Sequence, residues 1–226
     1  MGFVVIEGLD GSGKSTQLKM LSEYLDRRNV PFKYLHFPRL EEGIYGKLIA
    51  RFLRGEMGAN EQVDPYMVAL IFAGDRTDAS LLIREWMGEG YLVIVDRYVY
   101  SNIAFQCAKL TSSEERDRLR DWILEFEFAY NKLPKPDVNL YLNVPFEFTR
   151  EQLKNTRDGD DRAYLKGERD IHEENIDFQE QVQQVYLSLT DHVEDLKIIQ
   201  CMDQEGLMLA PGAISDLIVK HIDLKE

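Results

Sequence analysis

Two cysteines in 226 residues, Cys107 and Cys201, exclude both a disulfide framework and a zinc ribbon, because they do not form a pair at redox or metal-ligand spacing. Such sparse usage fits a reducing compartment. No apolar run approaches the roughly 20 residues that a membrane helix requires. Basic charge is scarce: 27 Lys and Arg against 40 Asp and Glu leave a net charge of −13, so there is no excess of cations to track nucleic-acid phosphates. The four histidines, His36, His172, His192 and His221, show no ligand spacing and read as surface or packed residues. The opening stretch "MGFVVIEG" lacks the basic region and small-residue cleavage site of a secretory signal, and Ile6 stands where a myristoylation motif needs Ser or Thr. Repeats and low-complexity linkers are also missing. The expectation is a cytoplasmic protein with neither nucleic-acid nor membrane partners, in which an anionic ligand is drawn in by a local basic cluster.

What is present is an apolar fraction of 44%, enough to bury a sizeable core in one domain spanning residues 1–226. Four short apolar runs are continuous rather than alternating, the pattern of strands buried on both faces: "FVVIE" (3–7), "YLVIVD" (91–96), "VNLYLNV" (138–144) and "LKIIQ" (196–200). "FKYLHF" (32–37) is a fifth, more mixed run. Helical spacing occupies roughly 14–28, 43–54, 64–88, 113–130, 145–155, 173–190 and 212–223. Strands alternating with helices imply right-handed crossovers and a parallel α/β sheet covered on both faces.

The first strand runs into "EGLDGSGKST". Gly8, Gly13, Lys14 and Ser15 satisfy the phosphate-loop pattern in the context that gives it meaning, after a strand and opening a helix. Its glycines let backbone N–H groups turn toward phosphate oxygens, with the helix N-terminus adding positive potential. The segment Gly8, Leu9, Asp10, Gly11, Ser12, Gly13, Lys14, Ser15 and Thr16 is therefore the expected binding loop for a nucleoside triphosphate. Lys14 is expected on the β- and γ-phosphates and Ser15 on Mg²⁺. Asp96 closes "LVIVD", the usual position for a carboxylate that holds Mg²⁺ through water. Alone, Asp96 and Arg97 would serve equally as a helix cap and a surface ion pair; beside a phosphate loop they become catalytic candidates. "NKLP" (131–134) superficially resembles the guanine-reading N-K-x-D element, but Pro134 occupies the Asp position and rules that device out.

Taken together, "EGLDGSGKST", "FPR" (37–39), "FAGDR" (72–76), "DRYVYSNIAFQ" (96–106), "KPD" (135–137) and "DIHEEN" (170–175) resemble the thymidylate kinases in order and spacing, over almost the whole chain. The resemblance implies a P-loop NTPase fold with a five-stranded parallel sheet flanked by helices, a mobile lid, a homodimer, and transfer of the ATP γ-phosphoryl group to dTMP. It further implies that Arg39 clamps the acceptor phosphate, where a planar guanidinium can bond two oxygens. Phe72 stacks on thymine, and Arg76, one helical turn on, bonds the carbonyl edge of the base. By the same resemblance Arg97 lies between donor and acceptor phosphates, Ser101 and Asn102 line the base, Phe105 closes off the sugar C2′, and Gln106 is a further acceptor-side candidate. Asp10 then accepts a hydrogen bond from the acceptor's 3′-hydroxyl beside Arg97, which explains a carboxylate inside a polyanion-binding loop.

Two departures from the family pattern bear on catalysis. Some members place an arginine directly after the loop aspartate; here that position is Gly11, so a lid at about 154–172 is expected to supply the missing cation, with Arg162 and Arg157 as candidates and Lys166 and Arg169 behind them. "DIHE" replaces the more usual "DRYE"-like end of the lid with Ile171 and His172. The adenine pocket is expected near 201–206. Alternative readings are a deoxynucleoside kinase acting on a 5′-hydroxyl, which would call for a Glu-Arg-Ser context in place of Asp-Arg-Tyr, and a non-catalytic nucleotide-binding module, which has no use for an acceptor pocket.

Overall fold

The computed structural model describes residues 2–154, 165, 170–173 and 175–222. Its frame is a five-stranded parallel sheet in the order β2-β3-β1-β4-β5, formed by β1 (Phe3–Glu7), β2 (Phe32–His36), β3 (Leu92–Asp96), β4 (Val138–Asn143) and β5 (Leu196–Gln200). Each of the five expected strands forms within a residue or two of its expected ends. The uninterrupted apolar character of β1 and β3 follows from burial on both faces. Phe3, Val5, Val93, Val95 and Tyr141 project to one face, against α3 (Pro65–Gly88), α4 (Val99–Cys107), α5 (Ser113–Leu124) and α7 (Ile176–Leu189). Val4, Ile6, Leu92, Ile94, Leu140 and Leu142 project to the other, against α1 (Lys14–Arg27) and α8 (Pro211–Val219). The edge strand β2 is partly exposed, which accounts for its mixed composition.

A smaller core joins α2 (Gly43–Leu53) to α3 through Ile49, Phe52, Leu53 and Val68. The remaining helix, α6, spans Phe146–Lys154. Caps delimit several helices. Asp64 accepts from the backbone N–H of Tyr66 and Met67 ahead of Pro65, and Ser112 and Asn175 do the same for α5 and α7. Among the described residues no helix is long and apolar enough to cross a membrane.

Two elements differ from expectation. α4 was absent from the helical spacing because every residue in it is buried, so its sequence, "VYSNIAFQC", has no polar stripe to reveal a period. The expected helix over 113–130 ends as an α-helix at Leu124 and continues as a π-helical turn, Glu125–Tyr130, in which Asn131 N donates to Phe126 O five residues back at 2.9 Å.

Candidate active site

The carboxyl ends of β1 and β3 lie side by side, with Ile6 opposite Asp96, and the chain leaves them toward opposite edges of the sheet. Ligands of open α/β sheets bind at such a switch point. Here it opens into one cleft of about 900 Å³. Asp10 through Thr16, Arg39, Phe72, Arg76, Asp96, Arg97, Ser101, Asn102, Phe105 and Gln106 all line it, so residues read from segments far apart in sequence share one wall. Gly8 and Leu9 do not. Leu9 is a fully buried core residue, while Gly8 packs so closely that a Cβ there would lie 2.7 Å from Ser12 Oγ. Arg157, Arg162, Lys166 and Arg169 lie outside the described residues.

The phosphate loop is set for an anion. Gly13, the N-cap of α1, has φ 84°, a left-handed conformation suited to glycine, and no side chain caps the N–H groups of the first turn. Lys14 Nζ folds back to donate to Leu9 O at 2.8 Å and Gly8 O at 3.2 Å. Burial, with Arg97 adding repulsion, brings its ammonium down to about 8 despite Asp96, Asp10 and Glu7 nearby.

Across the loop, Arg97 Nη2 donates to Asp10 Oδ1 at 2.8 Å, and Gln179 of α7 donates to Asp10 Oδ2 at 3.1 Å. Burial alone would raise the Asp10 carboxyl, but Arg97 and then Lys14 outweigh it and hold the group well below the usual carboxylate range. Burial likewise disfavours the Arg97 charge, and Asp10 more than offsets this, so the guanidinium stays charged. Arg97 has φ 65° in a non-glycine residue. Its backbone N–H donates to Ile6 O at 3.0 Å, Nη1 donates to Ser101 Oγ at 3.2 Å, and the guanidinium carbon lies 5.0 Å from the Phe105 ring centroid. This arginine is held from all sides.

Behind it stands Glu7, which the sequence reading did not single out although a carboxylate ends an otherwise apolar strand. It is fully buried and accepts from Tyr98 N at 3.0 Å, Ser101 N at 3.2 Å, Ser101 Oγ at 2.5 Å and Tyr186 OH at 2.9 Å. Burial raises its pKa, and those donors and Arg97 oppose the rise. Ser101 is thus tied into this network as well as lining the cleft.

The remaining predicted side chains also have partners that sequence could not name. Arg39 donates through Nε and Nη2 to Asp75, at 3.0 Å to Oδ1 and 2.9 Å to the backbone oxygen, and through Nη1 to the exposed Glu42 at 2.8 Å. Arg76 is fully buried and forms a fork with Glu127, Nε to Oε2 at 2.5 Å and Nη2 to Oε1 at 2.7 Å. Phe72 and Arg76 face the same cleft, as their one-turn spacing requires.

Asp96 accepts from His36 Nδ1 at 3.2 Å on Oδ2, while Oδ1 is buried without a partner. Burial opposes its ionisation, but His36 and Lys14 bring its pKa below the usual value. An ionised carboxylate with one orphaned oxygen, lining the same cleft as the exposed Ser15, has the donor chemistry a magnesium ion takes. His172 is a packed residue, as expected: its ring lies 5.0 Å from Phe105, 5.5 Å from Phe52 and 5.6 Å from Phe178, and burial with Lys109 nearby brings its imidazole down to about 3, leaving it neutral.

A family model described as thymidylate kinase matches residues 6–207. The thymidylate kinase of Plasmodium falciparum is 31% identical over 205 residues, covering 87% of this chain and 91% of that one. That of Mycobacterium tuberculosis is 34% identical over 188 residues, covering 82% and 84%. The solved thymidylate kinase of Candida albicans superposes with a TM-score of 0.69 at 26% identity, covering 97% of this chain and 89% of that one. With the family match spanning most of the chain and relatives above 30% identity over most of their own length, the chain belongs to the thymidylate kinase family.

Proposed function

We propose that this protein transfers the γ-phosphoryl group of ATP to dTMP, yielding ADP and dTDP, with residues 1–226 acting as one kinase domain that carries a lid at about 154–172. The observation that carries the reading is the Asp10–Arg97 pair at 2.8 Å, which sets an anchored cation between the phosphate loop and the chamber lined by Phe72, Asn102 and Phe105.

On this reading the loop amides and Lys14 grip the donor's β- and γ-phosphates, and the acceptor lies in the chamber with its phosphate toward Arg39 and Arg97. The Asp75 fork fixes Arg39, so an incoming phosphate displaces only the exposed Glu42. Phe72 takes the base face, Phe105 crowds C2′ against a ribose hydroxyl, and Gln106 is a further residue on the acceptor side. Transfer spreads negative charge over the equatorial oxygens, and the chain answers with positioned cations: Lys14, Arg97 and, in place of a loop arginine at Gly11, Arg162 or Arg157 from the lid. Ser15 and Asp96 would hold Mg²⁺, which supplies charge neutralisation and orientation of the donor phosphates. A cytoplasmic homodimer working on small molecules, not on nucleic acid or membranes, completes the proposal.

The test is a coupled ADP-release assay with ATP and Mg²⁺ against dTMP, dUMP, UMP, CMP and thymidine. Turnover of dTMP above the ribonucleotides and thymidine is expected. Preference for thymidine would overturn the reading in favour of a deoxynucleoside kinase.

A further inference from the structure

Glu127 comes from the π-helical turn, is fully buried, and stands behind the cleft-lining Arg76 and Asn102. An uncompensated buried carboxylate is costly, and this one is matched by three N–H donors. Arg76 Nε and Nη2 occupy Oε2 and Oε1, and Asn102 Nδ2 donates to Oε1 at 2.9 Å. The same Nδ2 donates to Ala69 O at 3.1 Å. Both neighbours of that amide nitrogen are acceptors, so the orientation of Asn102 is decided: Nδ2 faces inward and Oδ1 is the other end. Asn102 Oδ1 is buried and has no partner, and Arg76 Nη1 makes no hydrogen bond among the described residues. Arg76 and Asn102 both line the cleft.

One carboxylate therefore leaves a free acceptor on one side chain and a free donor on another. We propose that Glu127 is a positioning residue for acceptor selection, orienting Arg76 and Asn102 so that the chamber presents a donor and an acceptor matched to the carbonyl and N–H of a pyrimidine imide, and mismatched to the amino group and bare ring nitrogen of cytosine. This rests on the reading of the cleft as a dTMP site. A buried acceptor left unpaired by the wrong base is heavily penalised, which is the source of strong discrimination by hydrogen bonding.

The π-turn is the device that delivers the charge. Trp122, Phe126 and Tyr130 stack at four-residue intervals, with ring centroids 5.2 Å and 5.6 Å apart, while the wider turn closed by Asn131 N on Phe126 O accompanies the inward placement of Glu127.

The experiment uses Glu127→Gln, equal in shape but able to accept at one terminal atom only. Either orientation of the introduced amide sets N–H against N–H, at Arg76 Nε or at Asn102 and Arg76 Nη2. The expected result is at least a tenfold fall in kcat/KM for dTMP, carried mainly by the acceptor KM, an unchanged KM for ATP, and at least a tenfold fall in the ratio of dTMP to dCMP turnover. The variant Glu127→Asp keeps a carboxylate that accepts at both oxygens, leaves the Asn102 bond to Ala69 O in place, and should hold the ratio above that of Glu127→Gln. Equal losses on dTMP and dCMP, a parallel rise in the ATP KM, or the same ratio in Glu127→Asp as in Glu127→Gln would overturn the positioning role. If the parent enzyme itself ignores dTMP, the functional reading fails instead.

Discussion

Replacing Asp10 with alanine removes two hydrogen bonds the structure shows and the one expected from the acceptor's 3′-hydroxyl. Arg97 loses its 2.8 Å carboxylate partner and keeps Ser101 Oγ at 3.2 Å and the Phe105 ring; Gln179 loses Asp10 Oδ2 but keeps His172 O at 2.8 Å. The Asp10 side chain is 23% exposed, so water can reach the vacated side of Arg97 and limit the folding penalty to about 1–3 kcal/mol. The third bond, proposed from the acceptor's 3′-hydroxyl to the Asp10 carboxylate, would be charge-assisted and would contribute roughly 1.5–3 kcal/mol, or about 10- to 150-fold in kcat/KM. A cycle separates it from the general damage: parent and Asp10→Ala are each assayed by ADP release with dTMP and with its 3′-deoxy analogue. The parent should prefer dTMP by about that factor, and the preference should collapse toward unity in the variant, while both acceptors suffer the further loss from a loosened Arg97. A parent indifferent to the 3′-hydroxyl, or a variant that keeps the parent's preference, would refute the assignment of Asp10 to the acceptor side.

Three further outcomes are expected. Because the buried Lys14 ammonium sits at about 8 in place of its ordinary 10.5 and triphosphate favours the charged form, ATP binding should take up a proton above about pH 8 and weaken as pH rises from there; calorimetry in buffers of different ionisation heat reads the uptake, and its absence would contradict the Lys14 role. His172 is held at about 3 against an ordinary 6.5, so between those values the unfolded chain binds a proton that the folded chain refuses, and stability falls with acidification by up to about 1.4 kcal/mol per pH unit. His172→Phe should lose less stability than the parent between about pH 6.5 and 4 in urea unfolding, and an equal loss would show that the ring does not titrate this way. A Cβ on Gly46 would lie 2.0 Å from the Arg39 backbone oxygen, so Gly46→Ala should push the Arg39 segment away, cost about 1–3 kcal/mol and raise the dTMP KM with ATP binding intact; an unchanged dTMP KM would separate that segment from acceptor binding.

What the sequence determined by itself is local. A five-residue strand that is apolar up to its last residue, a glycine turn and a helix opening on Lys14 are consecutive in the chain, so their spacing alone specifies where an anion goes. Strands buried on both faces declare themselves by composition, which is why β1, β3 and β4 were legible. Phe72 and Arg76 were named by the family resemblance, and helical periodicity required only that they face the same way. Tertiary structure decided everything that depends on a partner far along the chain. Arg97 meets Asp10 across 87 residues and Arg76 meets Glu127 across 51, and a charged residue in a sequence carries no mark of the opposite charge that will permit its burial. Within "ILEFEFAY" nothing distinguishes Glu127 from Glu125 by residue type; a change of helical pitch turns one of them into the core. α4 escaped notice for the converse reason, since a helix enclosed on every side has no exposed face to impose a polar period. Residue types and short spacings thus identified the phosphate loop, and the family resemblance named many of the other residues lining the cleft, while the buried carboxylates Glu7, Asp75 and Glu127 that orient them became identifiable only when the chain folded, because burying them requires donors that folding brings to them.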